Sequence, residues 1–180
     1  MSDIDDFAEK LLEEAKGFLE MAKGAKRTEA KDAYLHAALS LGFCAFEAHV
    51  NAIADDFFSR KELNPLERSI LAERDYKLED GVFVIQNTLK MYRLQDRIEF
   101  MHRRFSGKPL KKTDTWWSEI KKGLTIRNDL AHPKAAHAIT DKAVEQALRA
   151  IIDTLSVLYR AIFKREYPPK RRGLDSSLVL

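Results

Sequence analysis

Residues 141–166 place Val144, Leu148, Ile151, Ile152, Leu155, Leu158, Ile162 and Phe163 at i, i+3 and i+4 spacing, the period of an α-helix that buries one face. Thr140 stands where an N-cap belongs, and Pro168-Pro169 cannot continue the helix. The same period runs through residues 4–23, with Ile4, Phe7, Ala8, Leu11, Leu12, Ala15, Phe18, Leu19 and Ala22. It returns across 28–60, with Tyr34, Ala37, Ala38, Leu41, Ala45, Ala48, Ala52 and Ile53. Only seven glycines and five prolines interrupt 180 residues, which favours long helices over a strand-and-turn fold. The spacing predicts an all-α, single-domain bundle of about five to six helices over residues 1–166, with a basic, irregular tail at 167–180.

Local signals place the shorter elements. In Asn64-Pro65-Leu66-Glu67 the asparagine caps, proline occupies the first turn and glutamate completes a capping box, so a short helix starts there and ends near Arg74. Residues 76–84 read as an extended connector, and residues 86–105 as a further helix closed by Ser106-Gly107-Lys108-Pro109. Thr113 or Asp114 caps the next helix, which runs to about Ala131. Trp116-Trp117 at its start fits one core and one interface residue better than a base-stacking pair. Cys44, the single cysteine, sits mid-helix among apolar neighbours and reads as a small core side chain.

Chemistry concentrates in Ile126-Arg127-Asn128-Asp129-Leu130-Ala131-His132-Pro133. A permanently cationic fork and a side chain that titrates near neutrality are the minimum for cleaving a phosphodiester without metal. Arginine holds the phosphate and its developing charge while histidine moves the proton. Arg97 and His102 repeat the spacing, but in an unbroken helix five residues turn about 500°, which points the two side chains apart. Pro133 disfavours α geometry at His132, so the helix ends there and His132 can swing toward Arg127. The first copy therefore reads as surface decoration and the second as the candidate site.

The Arg127-to-His132 segment, with polar Asn128 after the arginine, resembles the Arg-x4–6-His signature of the HEPN superfamily, small all-helical proteins that are often ribonucleases. Phe46-Glu47-Ala48-His49-Val50-Asn51 resembles the early helix whose inward Glu and Asn accompany that motif. Glu47 and Asn51, one turn apart, share a face, either as a boundary strip or with Glu47 orienting Arg127 or His132. The resemblance implies a HEPN-like fold and a homodimer that pools two arginines and two histidines in one cleft. It further implies a metal-independent endoribonuclease of the toxin or phage-defence kind, leaving a 2′,3′-cyclic phosphate and restrained by a partner such as a nucleotidyltransferase antitoxin. Some members of the superfamily keep the fold without the nuclease, so a non-catalytic module binding RNA, a nucleotide or a partner protein is the alternative.

Charge patterning agrees with a polyanionic ligand. The net charge of +3 is unevenly spread, with −5 over residues 1–20, +5 over 97–122 and +5 over 160–172. The middle block, with Lys111, Lys112, Lys121 and Lys122 as candidate RNA contacts, runs straight into the motif. Five histidines and one cysteine offer no zinc-like spacing, and no glycine loop cradles a phosphate, so neither metal nor cofactor is expected. His137 reads as a loop residue able to back up His132. An acidic first segment unlike a targeting signal, no unbroken run of about 18 apolar residues and a lone cysteine suit the reducing cytoplasm.

Overall fold

The computed structural model describes residues 3–135 and 138–178. Six helices follow one another in it: α1 (Asp3–Gly24), α2 (Thr28–Phe58), α3 (Pro65–Ala72), α4 (Leu94–Ser106), α5 (Thr115–Ala131) and α6 (Asp141–Phe163). Between α3 and α4 lie two strands, β1 (Arg74–Glu79) and β2 (Val82–Leu89). The fold is mainly α rather than all-α.

Helix α2 sets the arrangement because it is apolar on more than one side. Leu35, Leu39, Phe43, Phe46, Val50, Ile53 and Phe57 are all buried on it, and α1, α5 and α6 pack around its length. By length and composition it could cross a membrane, yet its apolar residues lie mostly inside the bundle. Where α6 crosses, Gly42 has no room for a side chain: a Cβ would lie 2.3 Å from Leu148 Cδ2. Cys44, expected in the core, is exposed, because it falls on a narrow strip of α2 that no neighbour covers. The stripe of α1 likewise becomes buried only from Ala8 onward, with Ile4 and Phe7 facing out.

The region read as a connector and the start of a helix is a β-hairpin. β1 and β2 pair antiparallel, with Tyr76 opposite Ile85, Leu78 opposite Phe83 and Glu79 opposite Val82. Asp80 and Gly81 form its tip at φ 47° and 80°, the double positive φ of a type I′ turn. β-Branched and aromatic residues at Val82-Phe83-Val84-Ile85 suit the strand, and the Tyr76 and Phe83 rings meet edge to face at 5.7 Å. Helix α4 consequently begins at Leu94 rather than near residue 86. The expected capping box is present: Asn64 Oδ1 accepts from Glu67 N, and Glu67 Oε2 accepts from Asn64 N.

Residues 167–178, expected to be an irregular tail, are docked against the bundle. α6 stops at Phe163, with Lys164 left-handed at φ 58°, and a short 3-10 helix follows at Pro168–Arg172. Acidic side chains of α1 make this docking possible. Arg172 Nη2 donates to Glu13 Oε1 at 2.8 Å, and Ser177 N donates to Glu13 Oε2 at 2.6 Å. Lys16 is fully buried, paired with Glu13 at 2.6 Å and donating to the Asp175 carbonyl at 2.9 Å.

A second clasp joins this segment to α2. The buried Tyr167 hydroxyl lies 2.7 Å from His49 Nε2. Burial pushes the Tyr167 phenol well up, so it stays protonated and donates. Burial also pushes His49 down to about 4, which leaves a neutral imidazole as acceptor. Asp5 Oδ1 stands 4.0 Å from Nδ1, beyond hydrogen-bond range, and its pull does not overcome burial. Below pH 6.5 the unfolded chain takes up a proton that folded His49 refuses until about 4. The contribution is thus complete above 6.5 and is lost as pH falls toward 4. Denaturant titrations across this range should show a loss of roughly 3 kcal/mol that a His49→Phe variant lacks. Tyr167→Phe, which strands a buried acceptor, should cost about 1–3 kcal/mol at neutral pH.

Candidate functional site

The site grows from a contact between α5 and α2. A Cβ on Gly123 would lie 3.0 Å from Phe43 Cζ and 3.0 Å from Ala147 Cβ. Glycine inside a helix costs roughly 1 kcal/mol relative to alanine, so its presence here reflects the close approach it permits. One turn farther along each helix stand Arg127 and Glu47. Arg127 Nη2 donates to Glu47 Oε1, Nη1 donates to Asn128 Oδ1 at 3.2 Å, and the guanidinium lies 5.8 Å from the centre of the Phe43 ring. Glu47 therefore orients Arg127, and His132 takes no part in that pair.

These residues border a cavity of about 340 Å³ that Glu47, Asn51, Arg97, Lys121, Arg127 and Asn128 line together with Glu73 and Tyr92. Arg97 is not surface decoration. It is only 3% exposed, and its Nη1 donates at 2.8 Å both to Asn51 Oδ1 and to Glu73 Oε2. Nη2 donates to the Leu71 carbonyl, also at 2.8 Å. Helical rotation does separate Arg97 from its spaced partner, as expected, but it turns the arginine inward. His102 faces the end of α4, its Nδ1 3.2 Å from the Lys108 carbonyl.

Asn51 is thus occupied in holding Arg97. Glu73 caps α3 in the left-handed region at φ 50°, and Oε1 of the same carboxylate accepts from Tyr92 N at 3.3 Å. Burial draws the Arg97 pKa below the usual guanidinium value, while Glu73 and Glu47 pull it back. The side chain remains a cation.

His132 is the C-cap of α5, and its backbone, at φ −132°, ψ 64°, has left the α region that Pro133 disfavours. Its side chain is exposed and does not line the cavity. Among the described residues, no hydrogen bond joins its ring to Arg127, Asn128 or Glu47. His137 lies outside the described residues. Of the four lysines, Lys111 pairs with Asp114 at 3.0 Å, Lys112 with Glu99 at 2.6 Å and Lys122 with Glu119 at 2.7 Å. Lys121 is the one that borders the cavity. Trp117 is buried and Trp116 half-buried against it, so both belong to packing.

Sequence reasoning passed over Gly123 and Glu73, and took Arg97 for surface decoration. A glycine inside an otherwise regular helix was the available signal for the first. Among the described residues, no group of three or more His, Cys, Asp or Glu side chains is placed to hold a metal ion. No family model, no curated protein and no solved structure matches the chain.

The arrangement suits a phosphate. Glu47 and Asn128 engage two of the five N–H donors a guanidinium carries. Lys121 adds a second cation on the same wall. The two arginines differ in what they support. Arg97→Ala should lower the unfolding free energy by about 3–5 kcal/mol, because it leaves Glu73 without its buried partner. Arg127→Ala, which breaks a partly exposed pair, should cost about 1 kcal/mol or less. Equilibrium denaturation of both variants checks the contrast.

Proposed function

We propose that this protein is a cytoplasmic, metal-independent endoribonuclease of the HEPN type that works as a homodimer. One observation carries the reading: α5 and α2 bring Arg127, Asn128 and Glu47 to a single open cavity, with Lys121 on its wall. RNA supplies its own nucleophile in the 2′-hydroxyl. His132 takes that proton, or protonates the departing 5′-oxygen, as the 2′-oxygen bonds to phosphorus and the 5′-oxygen–phosphorus bond breaks. Arg127 stabilises the charge that gathers on the phosphoryl oxygens. The products are a 2′,3′-cyclic phosphate and a free 5′-hydroxyl.

Because His132 lies outside its own chain's cavity, the reading needs a second chain whose α5 meets the first across a two-fold axis and supplies the imidazole. An antitoxin or defence-system protein that restrains the nuclease is the expected further partner. The same observation favours a second reading, a non-catalytic module in which Arg127 and Lys121 bind a phosphate-bearing ligand without cleaving it.

RNA incubated with the protein and EDTA should be cut. Arg127→Ala and His132→Ala should each slow cleavage by about a hundredfold or more, whereas His102→Ala should leave it unchanged. Lys121→Glu should weaken RNA binding more than Lys111→Glu or Lys112→Glu, whose lysines already have acidic partners, and should flatten the salt dependence. Cleavage that vanishes in EDTA and returns with magnesium would refute the mechanism. Tight binding without cleavage would establish the second reading.

A further inference from the structure

We infer a second phosphate-binding site, where α1, α6 and the docked C-terminal segment meet, that holds the backbone of an RNA strand without reading its bases. A cavity of about 410 Å³ opens there. Lys23, Arg149, Lys170, Arg171 and Arg172 border it, against the carboxylates of Glu20 and Asp175. No residue borders both this cavity and the one beside Arg127. The site draws on the basic stretch 160–172, which the Arg127 cavity leaves unused.

Cations that already have partners cannot carry such a site, and three of these five have them. Lys23 pairs with Glu145 at 2.5 Å, Arg172 with Glu13 at 2.8 Å, and Lys170 stands 3.6 Å from Asp153. Arg149 and Arg171 differ: among the described residues, neither makes a hydrogen bond or an ion pair. For Arg149 the reason lies on its own helix. Its neighbours one turn away on either side are Glu145 and Asp153, the carboxylates that Lys23 and Lys170 occupy. Glu166 feels the charge of Arg171 but is bonded to Arg160 at 2.5 Å. Glu20 is engaged too, accepting from Ser176 N at 2.9 Å. Asp175 is then the one bordering carboxylate left to offset two guanidiniums, each with five N–H donors. The clasps of Tyr167 on His49 and of Arg172 on Glu13 fix the 3-10 segment, so Arg171 is placed before any ligand arrives.

The lining also selects the ligand. Leu19 and Leu174 are its only apolar side chains, and both are buried. No aromatic ring borders the cavity, so a base has nothing to stack on. None of the exposed large hydrophobic residues borders it either, so a bilayer would meet charge without an apolar anchor. Repeating phosphates suit cations carried on three separate elements. Taking RNA as their source rests on the reading given for the Arg127 cavity, whereas the phosphate chemistry does not.

The test is binding of a fluorescent oligouridine with 2′-O-methyl groups, which keeps the phosphates and blocks the nucleophile. Anisotropy is read against salt for wild type, Arg149→Gln/Arg171→Gln and Lys26→Gln/Lys142→Gln. The lysine pair removes the same charge from exposed positions outside the cavity. Arg149→Gln/Arg171→Gln should bind about tenfold more weakly at low salt, with a log–log salt slope shallower by about 1.4. Lys26→Gln/Lys142→Gln should lose little, and Arg149→Lys/Arg171→Lys should restore most of the affinity. Circular dichroism should match wild type throughout. Should the arginine variant lose its fold, hydrogen exchange of wild type decides: residues 145–149 and 170–175 should exchange more slowly with the oligonucleotide bound. Unchanged affinity in the arginine variant, an equal loss in the lysine variant, or no such protection would overturn the site. Tripolyphosphate or phosphatidylserine vesicles that bind in place of the oligonucleotide, and depend on the same arginines, would overturn RNA as its ligand. Cleavage of unmodified RNA is scored apart, so its absence would sink the nuclease and leave this site standing.

Discussion

A helix that is apolar on several sides cannot rest on a surface, and the rest of the structure follows from sheathing α2. The polar groups of α2 are as constraining as its apolar ones, because each meets a specific partner on a different neighbouring segment: His49 within the core, Glu47 and Asn51 at its border. Three lie within a turn and a half. Glu47 is met by Arg127 of α5, His49 by Tyr167 beyond α6, and Asn51 by Arg97 of α4. α5, α4 and the segment beyond α6 are thus each keyed to one position on α2. Hydrophobic contact brings the helices together without direction, and these three bonds fix how they are turned.

The cavity inherits its electrostatics from that arrangement. Arg97 is buried and fixed by Asn51, Glu73 and the Leu71 carbonyl, while Arg127 is half-exposed and held mainly by one carboxylate. One guanidinium is structural and the other is available to a ligand, although both line the same hollow. Glu73 shows what this requires of the backbone: a non-glycine residue is held at positive φ where its carboxylate serves both Arg97 and Tyr92.

Much of the helical frame was legible because its signals are local. The Asn64–Glu67 capping box, the Thr140 cap and the stripe of α6 lie within a few residues of what they determine. The end of α5 at His132 was equally readable from Pro133. Misreadings came where a distant partner decides. Val82-Phe83-Val84-Ile85 has no clean alternation because neither face of the hairpin is well buried, so its period carried no strand signal, and Asp80-Gly81 was the cue passed over. Arg97 looks like any surface arginine until α2 and the end of α3 surround it. Glu47 and Asn51 do share a face, yet only the packing reveals that they serve different arginines.

The clasp on α1 bears on the order in which the chain can be completed during synthesis. The buried Lys16 ammonium finds its backbone acceptor, the Asp175 carbonyl, 159 residues later in the chain. At about 5–20 residues per second a ribosome takes roughly 8–32 s to span that interval, during which α1 has emerged but its ammonium lacks its final acceptor. Until residue 175 is made, the Lys16 ammonium keeps water as its acceptor, so this part of α1 is completed later than its packing against α2.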